Sequence, residues 1–244
     1  MTRHLTTHKA PSFWHIKIKE HAFTIRPNAG PHPLEHSMPL GIILRNVLRF
    51  SKTVVEAKRL LAERKVLVDG KVRFDHKYPV GLMDVIYLKA AEAFYRVLPN
   101  SKNKMALVKI TAEEASFKLE KITGKRLLRD NVVQLNFHDG RSVAVKVDDP
   151  FNIHLAYKLM DTVKISIPEG QLLEHIPLQE GAYVAITGGT KIGKYGTLLE
   201  TPAKRTANKL ARVMIGDAEK TVTLKYLFPV GKGSPIINIT GEVA

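Results

Sequence analysis

The stretch "VAITGGTKIGKYGTLLE", residues 184–200, decides how the last part of the chain folds. Gly188, four intervening residues, Gly193 and Lys194 match the phosphate-cradling pattern G-x-x-x-x-G-K-[ST], but Tyr195 stands where the pattern needs a small hydroxyl to hold magnesium. A nucleotide loop also needs a helix behind it, whose free N–H groups and dipole face the phosphates. "AYVAIT" before the glycines suits a strand. After them, Gly196 and Pro202 enclose a "TLLE" run that suits a second strand better than a helix. Strand, glycine turn, strand is a hairpin, and no obvious acidic partner strand for magnesium stands elsewhere, so an NTPase is not expected. Glycine supplies the positive φ that a tight loop between twisted strands needs. Small residues also admit a second backbone, which Lys191 and Lys194 at the tip would face as phosphate partners. Tyr195 either stacks on a base or packs.

The 244 residues carry 38 Lys+Arg against 23 Asp+Glu, a formal net charge of +15. Such an excess calls for a polyanionic partner, nucleic acid or an acidic membrane surface. It is concentrated early: residues 1–104 hold 19 Lys+Arg and 8 Asp+Glu, residues 105–244 hold 19 and 15. The absence of cysteine excludes disulfides, thiolate zinc sites and cysteine nucleophiles. No apolar run approaches the roughly 20 residues of a membrane helix. "MTRHLTTHKAPSFWH" lacks the apolar centre of a secretory signal. A cytoplasmic protein with no membrane partner is expected.

Residues 1–38 read as a basic arm. Prolines crowd the stretch from Pro27 to Pro39, no regular period survives, and the arm is expected to order mainly on a partner. Arg3, Lys9, Trp14 and Lys17 are its candidate contacts. In residues 39–104, "MPLGIILRNVLRF" sets Ile43, Leu44, Val47 and Leu48 at helical spacing, with Arg45, Arg49 and Lys52 along one stripe. In "SKTVVEAKRLLAERK", Thr53 and Glu56 make a capping box. Val54, Ala57, Leu60 and Leu61 form its apolar face, and Lys58, Arg59, Arg64 and Lys65 give it charge. "VLVDGKVRF" turns at Asp69-Gly70, a type I′ hairpin signal, and brings Lys71, Arg73 and Lys77. A strand in "YPVGLMDVIYL" follows. Cations clustered on two helices and a hairpin predict a shaped anion-binding surface rather than solvated faces.

Residues 105–178 read as a β-rich central domain. Thr111 and Glu114 predict a capped helix to about Lys121, and "NVVQLNFHDGRSVAVKV" a hairpin turning at Asp139-Gly140. "DTVKISIP" and "GQLLEHIPL" predict strands. Residues 179–244 hold the glycine hairpin, the polar loop "TPAKRTANK", strands such as "KTVTLKYLF" and an extended end. The fold class is α+β and multidomain.

"GAYVAITGGTKIGKYGTLLE" resembles a KOW motif, the small β-barrel element of several ribosomal and transcription proteins. "PLGIILRNVLRFSKTVVEAKRLLAERKVLVDGKVRFDHKYPVGLMDVI" resembles the alpha-L (helix-helix-hairpin) RNA-binding fold, also called the S-four domain. Arm, alpha-L domain, β-rich central domain and KOW-type β-barrel, in that order, resemble the S-four-E family of small-subunit ribosomal proteins of archaea and eukaryotes. "GPHPLEHSMPLGIILRN", "VDGKVRFDHKYPVGLMDVI" and "VAITGGTKIGKYG" carry the match. The chain stops soon after "GKGSPIINI", where eukaryotic members run on with a basic tail, so an archaeal member is expected. The resemblance implies a structural part of the small subunit, located in the ribosome of the cytoplasm, with no catalytic activity, cofactor or small-molecule substrate. Its partners would be ribosomal RNA and neighbouring ribosomal proteins. Carried over by position, the alpha-L surface is Arg45, Arg49, Lys52, Lys58, Arg59, Arg64, Lys65, Lys71, Arg73 and Lys77, with Lys191, Lys194 and Tyr195 on the KOW loop.

Two other functions use the same modules. An RNA-modifying enzyme needs a catalytic domain, yet residues 105–244 are split in two and lack a glycine-rich strand-to-helix loop for a methyl donor. Its available carboxylates are Asp130, Asp139, Asp148, Asp149 and Asp161; Asp139 falls at a turn and Asp161 at a strand start, where structural roles are expected. His4/His8 and His32/His36 have the i, i+4 spacing of helical metal ligands. The first pair lies in the arm and the second encloses Pro33, so scattered RNA-facing histidines, and no metal, are expected. A free translation or transcription factor is the other alternative. Sedimentation with the particle through a high-salt wash separates a core component from such a factor.

Overall fold

The computed structural model describes residues 4–129, 131–146, 157–202, 206 and 208–239. They form two units, residues 4–98 with 105–115, and residues 99–104 with 116–239.

The first unit opens with β1 (Leu5–Thr6), β2 (Phe23–Thr24) and β3 (Ser37–Pro39). The two helices follow, α1 (Leu40–Ile42), which continues into a π turn at Ile43–Val47, and α2 (Val54–Ala62). Then come β4 (Val66–Val68), β5 (Lys71–Val72), β6 (Pro79–Gly81), β7 (Val85–Leu88), β8 (Ala93–Asn100) and β9 (Lys104–Ile110). A five-stranded sheet runs β5-β4-β7-β8-β9, while β1 pairs with β2 and β3 with β6. Because β9 joins this sheet, residues 105–115 belong with the first unit and not with the β-rich region, where the sequence places them.

The arm is not extended. Leu5, Phe13 and Trp14 are core residues beside Leu44, Leu61 and Val68, and the Trp14 Nε1–H donates to the Ser37 carbonyl at 2.8 Å. His32 is also buried, with Nε2 3.1 Å from both oxygens of the Asp84 carboxylate. A Cβ on Gly81 would lie 2.3 Å from the His32 ring, so only glycine admits it. The expectation of an extended arm that orders mainly on a partner is therefore corrected. Each buried aromatic contributes roughly 1.5–3 kcal/mol, which offsets the ordering of the chain between them.

The first helix also differs from the sequence pattern. Leu48 N–H donates to the Ile43 carbonyl at 2.9 Å, the five-residue step of a π turn, and the helix ends at Val47. Arg49 then adopts φ +55°, and the N–H groups of Phe50 and Ser51 return to the Leu44 carbonyl. Arg45, Arg49 and Lys52 thus do not form one helical stripe. The second helix matches expectation, with both halves of the Thr53–Glu56 capping box present.

In the second unit β10 (Phe117–Leu127), β11 (Val132–Phe137), β12 (Ser142–Lys146), β13 (Thr162–Ser166) and β14 (Leu172–Ile176) form one antiparallel sheet, in the order β12-β11-β10-β13-β14. The helix expected to run to Lys121 is absent. Glu114 N–H does reach Thr111 Oγ1 at 3.4 Å, but one 3₁₀ turn, Glu114–Ser116, gives way to β10. Pairing on both edges of β10 and burial of Leu119 and Ile122 override the local capping signal. A second sheet contains β15 (Ala182–Ile186), β16 (Tyr195–Glu200), β17 (Leu210–Ile215), β18 (Ala218–Thr223) and β19 (Leu227–Lys232), in the order β18-β17-β16-β15-β19. Among the described residues the molecule is mostly β, with α-helix only in α1 and α2.

A buried charge set sits between β10 and the β11–β12 turn. Lys118 Nζ lies 3.0 Å from Glu120 Oε1 and 3.1 Å from Asp139 Oδ2, and Arg141 Nε lies 3.0 Å from the same Asp139 oxygen. Burial opposes ionisation of Asp139, but the Lys118 ammonium and the Arg141 N–H outweigh it and hold the carboxyl down at about 2. Burial pushes Glu120 up, against the pull of Lys118 and His138. A depressed Asp stabilises the fold above its unfolded value near 4 and loses that contribution as pH falls through about 2. The raised Glu120 has the opposite sign, its contribution being lost as pH rises. Asp139→Asn is expected to cost about 2 kcal/mol or more at pH 7, with the deficit shrinking as pH falls from about 4 towards about 2, whereas Glu120→Gln costs little at pH 7. Urea unfolding of both variants at pH 3, 5 and 7 measures this. Trp14→Ala is expected to cost about 3–5 kcal/mol in urea unfolding followed by far-UV circular dichroism. An extended arm would give almost no change.

Candidate nucleic-acid interface

The two helices and the hairpin of the first unit stand on shared apolar residues. Ile42, Ile43 and Leu44 from the first helix meet Ala57 and Leu61 from α2 and Val66 and Val68 from β4. The first N–H groups of α1 find partners in the 76–78 segment, Leu40 N–H donating to the Tyr78 carbonyl at 2.9 Å and Gly41 N–H to the His76 carbonyl at 2.8 Å. The hairpin turns as its sequence predicts. Leu67 pairs with Val72 and Val68 with Lys71, leaving Asp69 and Gly70 at φ +50° and +72°, the signs of a type I′ turn. The Asp69 carboxylate is buried and accepts the Val85 N–H at 2.9 Å, which fixes the turn to β7.

On this frame Lys58 and Arg59 are exposed on α2, and Arg49 and Lys52 are exposed on the link between the helices. Arg64 takes φ +57° just past α2, its N–H donating to the Leu61 carbonyl while Lys65 N–H donates to that of Leu60, an αL-type helix end usually left to glycine. Lys71 is exposed, and Lys77 is half-buried. Arg73 is half-buried with its guanidinium 4.2 Å from the Tyr78 ring centroid. Arg45 is half-buried too, its Nε donating to Asn46 Oδ1 at 2.8 Å. Of these ten cations, the pair Lys65–Glu63 is the one ion pair among the described residues, and both partners are exposed to water and salt. The other nine form no ion pair among the described residues, although Glu56, Glu63 and Asp75 are exposed on the same segment.

The arm contributes unevenly. Lys9 and Lys17 are exposed, Lys17 beside Glu20 at 2.7 Å. Asn46 Nδ2 donates to the His15 carbonyl at 3.1 Å, holding the arm against the first helix. Trp14 is in the core, so its expected role as a contact is corrected: no face of the indole is available. Arg3 lies outside the described residues. His32, expected to face RNA, is instead the buried partner of Asp84.

The glycine hairpin is a hairpin, with Ala185 opposite Tyr195 and Tyr183 opposite Thr197. Gly193 has φ +75°, and a Cβ there would lie 2.1 Å from the Ser101 nitrogen. The backbone that the glycines admit is thus the chain's own. Lys191 Nζ donates to the Thr221 carbonyl at 2.9 Å, whereas Lys194 is exposed. Tyr195 is half-buried, and burial, then Tyr183, pushes its hydroxyl up beyond the ordinary range; packing is the alternative it follows. Lys102, exposed on the turn that meets Gly193, was not apparent as a site residue. Only the basic turn "NSKNK" signals it, and nothing local says which loop it meets.

Of the carboxylates a catalytic site could use, the two described, Asp139 and Asp161, both have structural partners. Asp161 accepts the Leu178 N–H at 2.9 Å and the Lys158 N–H at 3.1 Å and lies 2.9 Å from His175 Nε2, a structural clasp. Asp139 belongs to the buried charge set, and Asp130, Asp148 and Asp149 lie outside the described residues. Among the described residues no three His, Asp or Glu side chains cluster as a metal site.

Residues 38–86 match the S4 domain, an RNA-binding module, and residues 1–35 match the RS4NT domain. Residues 91–172 match the Ribosomal family S4e. The chain is 42% identical to the small ribosomal subunit protein eS4 of Staphylothermus marinus over 97% of this chain and 95% of that one. It is 40% identical to the same protein of Methanocaldococcus jannaschii over 97% of each. The crystal structure of the 30S ribosomal protein S4e from Thermoplasma acidophilum superposes with a TM-score of 0.67 at 32% identity, over 81% of this chain and 96% of that chain. The chain belongs to the S4e family of ribosomal proteins.

Arg49 and Arg64 hold a backbone conformation that costs a side-chain-bearing residue about 1 kcal/mol. Arg49→Gly and Arg64→Gly are therefore expected to leave the thermal midpoint unchanged or raise it by a few degrees while weakening binding to ribosomal RNA. Calorimetry paired with filter binding reads both, and a lowered midpoint would show that these arginines brace the fold.

Proposed function

We propose that this protein is a structural constituent of the small ribosomal subunit, in the ribosome of the cytoplasm, and binds ribosomal RNA mainly through the alpha-L face of its first unit. The supporting observation is the set of ten cations between Arg45 and Lys77, carried on two helices and a pinned hairpin with one exposed acidic partner among them. A surface built only for solubility balances both signs; here ten cations stand against three exposed carboxylates, Glu56, Glu63 and Asp75. Double-helical RNA hides its base edges in a deep, narrow major groove, so proteins read its backbone and shape. A stiff array of guanidinium and ammonium groups suits that task, because few of its side-chain supports must order on binding.

The arm, through Lys9 and Lys17, and the KOW-type loop, through Lys194 joined by Lys102, are further contacts. Lys191 and Tyr195 serve that loop from within it. The relatives' assignment to the small ribosomal subunit supports the same reading, and it includes neighbouring ribosomal proteins as partners and no catalytic step. No described helix is long and apolar enough to cross a membrane.

If about 6–10 phosphates are neutralised, affinity for transcribed small-subunit ribosomal RNA falls by roughly 10³–10⁵ between 50 and 200 mM salt. Lys58 and Arg59 are exposed on α2, so Lys58→Ala/Arg59→Ala is expected to change stability by less than about 0.5 kcal/mol. The same variant should reduce the slope of log affinity against log salt by roughly 1–2. A folded variant with unchanged affinity and slope removes α2 from the interface.

A further inference from the structure

Phe74 follows β5 on the hairpin and keeps 57% of its surface exposed. A single exposed apolar residue is ordinary, so exposure alone carries nothing. Its surroundings set it apart. The Arg64 guanidinium lies over the Phe74 ring, 5.7 Å from its centroid, a cation–π arrangement. Arg64 is itself anchored at the αL end of α2. The backbone on both sides of Phe74 is also fixed. Arg73 stacks on Tyr78, and the Asp75 carboxylate accepts the Lys77 N–H at 2.8 Å and Asn28 Nδ2–H at 2.6 Å. The ring therefore stands preset beside the Arg64 guanidinium, with Arg73 and Asp75 as its chain neighbours and the cations Lys71 and Lys77 in the same segment. A purely apolar partner would strip water from those cations and return no charge. A partner that carries both phosphates and flat aromatic groups satisfies ring and cations together.

We propose that Phe74 and Arg64 form a stacking site for one unpaired base of ribosomal RNA. The guanidinium covers one face of the ring and the base takes the open one. This deepens the RNA-binding reading above and rests on it. Bases freed from pairing are commonly held on aromatic and guanidinium planes. Such a site gives the alpha-L face a preference for a loop or bulge over uniform duplex.

The test uses the full chain and transcribed archaeal small-subunit ribosomal RNA, with inorganic polyphosphate as an anion that has no bases. Phe74→Ala is expected to weaken RNA binding about 5- to 100-fold, the range for losing one stacked base. The salt slope should stay the same, because no phosphate contact is lost. Phe74→Tyr should bind as the parent does, and polyphosphate binding should be unaffected in both. The exposed position predicts that the thermal midpoint is kept. An RNA affinity within about twofold of the parent for Phe74→Ala, while Lys58→Ala/Arg59→Ala weakens binding, overturns the stacking site alone. Equal losses for RNA and polyphosphate also overturn it, since the ring would then act only by placing Arg64. Unchanged RNA affinity in both Phe74→Ala and Lys58→Ala/Arg59→Ala overturns the alpha-L interface and the stacking site with it.

Discussion

Trp14, Leu44, Leu61, Val68 and Ile86 share one apolar seam, and what the first unit offers a partner depends on it. Helices as short as α1 (Leu40–Ile42) and α2 (Val54–Ala62) have no stability of their own in water, because the first turn costs more order than its hydrogen bonds return. Their cations outnumber the nearby acids Glu56 and Glu63, repel one another and further weaken the isolated segment. Burial of Ala57 and Leu61 on one side of α2 is what permits Lys58 and Arg59 on the other. Loss of RNA binding can thus arise from a residue that touches no RNA, by loosening the seam that keeps the charges in place.

The second unit handles its cations differently. Lys118 is buried between Glu120 and Asp139. Lys121 Nζ donates to the carbonyls of Lys225 at 2.9 Å and Leu227 at 2.7 Å, tying β10 to the segment that leads into β19. Burial, then the nearby Lys225, pushes Lys121 down to about 8. Lys191 reaches a backbone carbonyl as well. Part of the positive charge counted along residues 105–244 is therefore internal structure and does not meet a partner. Local charge density alone would overstate the solvent-facing charge there, while in the first unit Arg49, Lys52, Lys58, Arg59 and Lys71 are exposed.

How much of this was legible follows from which signals are local. Asp69-Gly70 demands positive φ at two successive residues, so its hairpin can be written from two letters. Thr53 and Glu56 complete each other within four residues, and the glycine hairpin was separable from a nucleotide loop by what followed it. The misses involve partners distant in sequence. Thr111 and Glu114 begin the same capping pattern, but β11 and β13 claim the chain after them as a strand. The arginine stripe fails because a π turn and a left-handed Arg49 end the helix early, and neither leaves a mark in the hydrophobic period. Trp14 stood in the sequence only as a candidate contact of the arm. That it sits in the core is set by Ser37 and the seam, many residues away. Phe74 looked like part of a strand pattern, and only the fold shows it uncovered beside Arg64.

The path of the chain between the two units has a consequence of its own. It enters the second unit at residue 99, goes back at 105 and crosses again at 116, so the β8–β9 hairpin belongs to one unit at its base and to the other at its tip. The Gly193 loop closes over that tip at Ser101. A single cut in the sequence therefore does not separate the residues of the two units. Cutting the chain at residue 99 would take β9 (Lys104–Ile110) away from the sheet of the first unit, so the later part cannot be excised there as one contiguous piece.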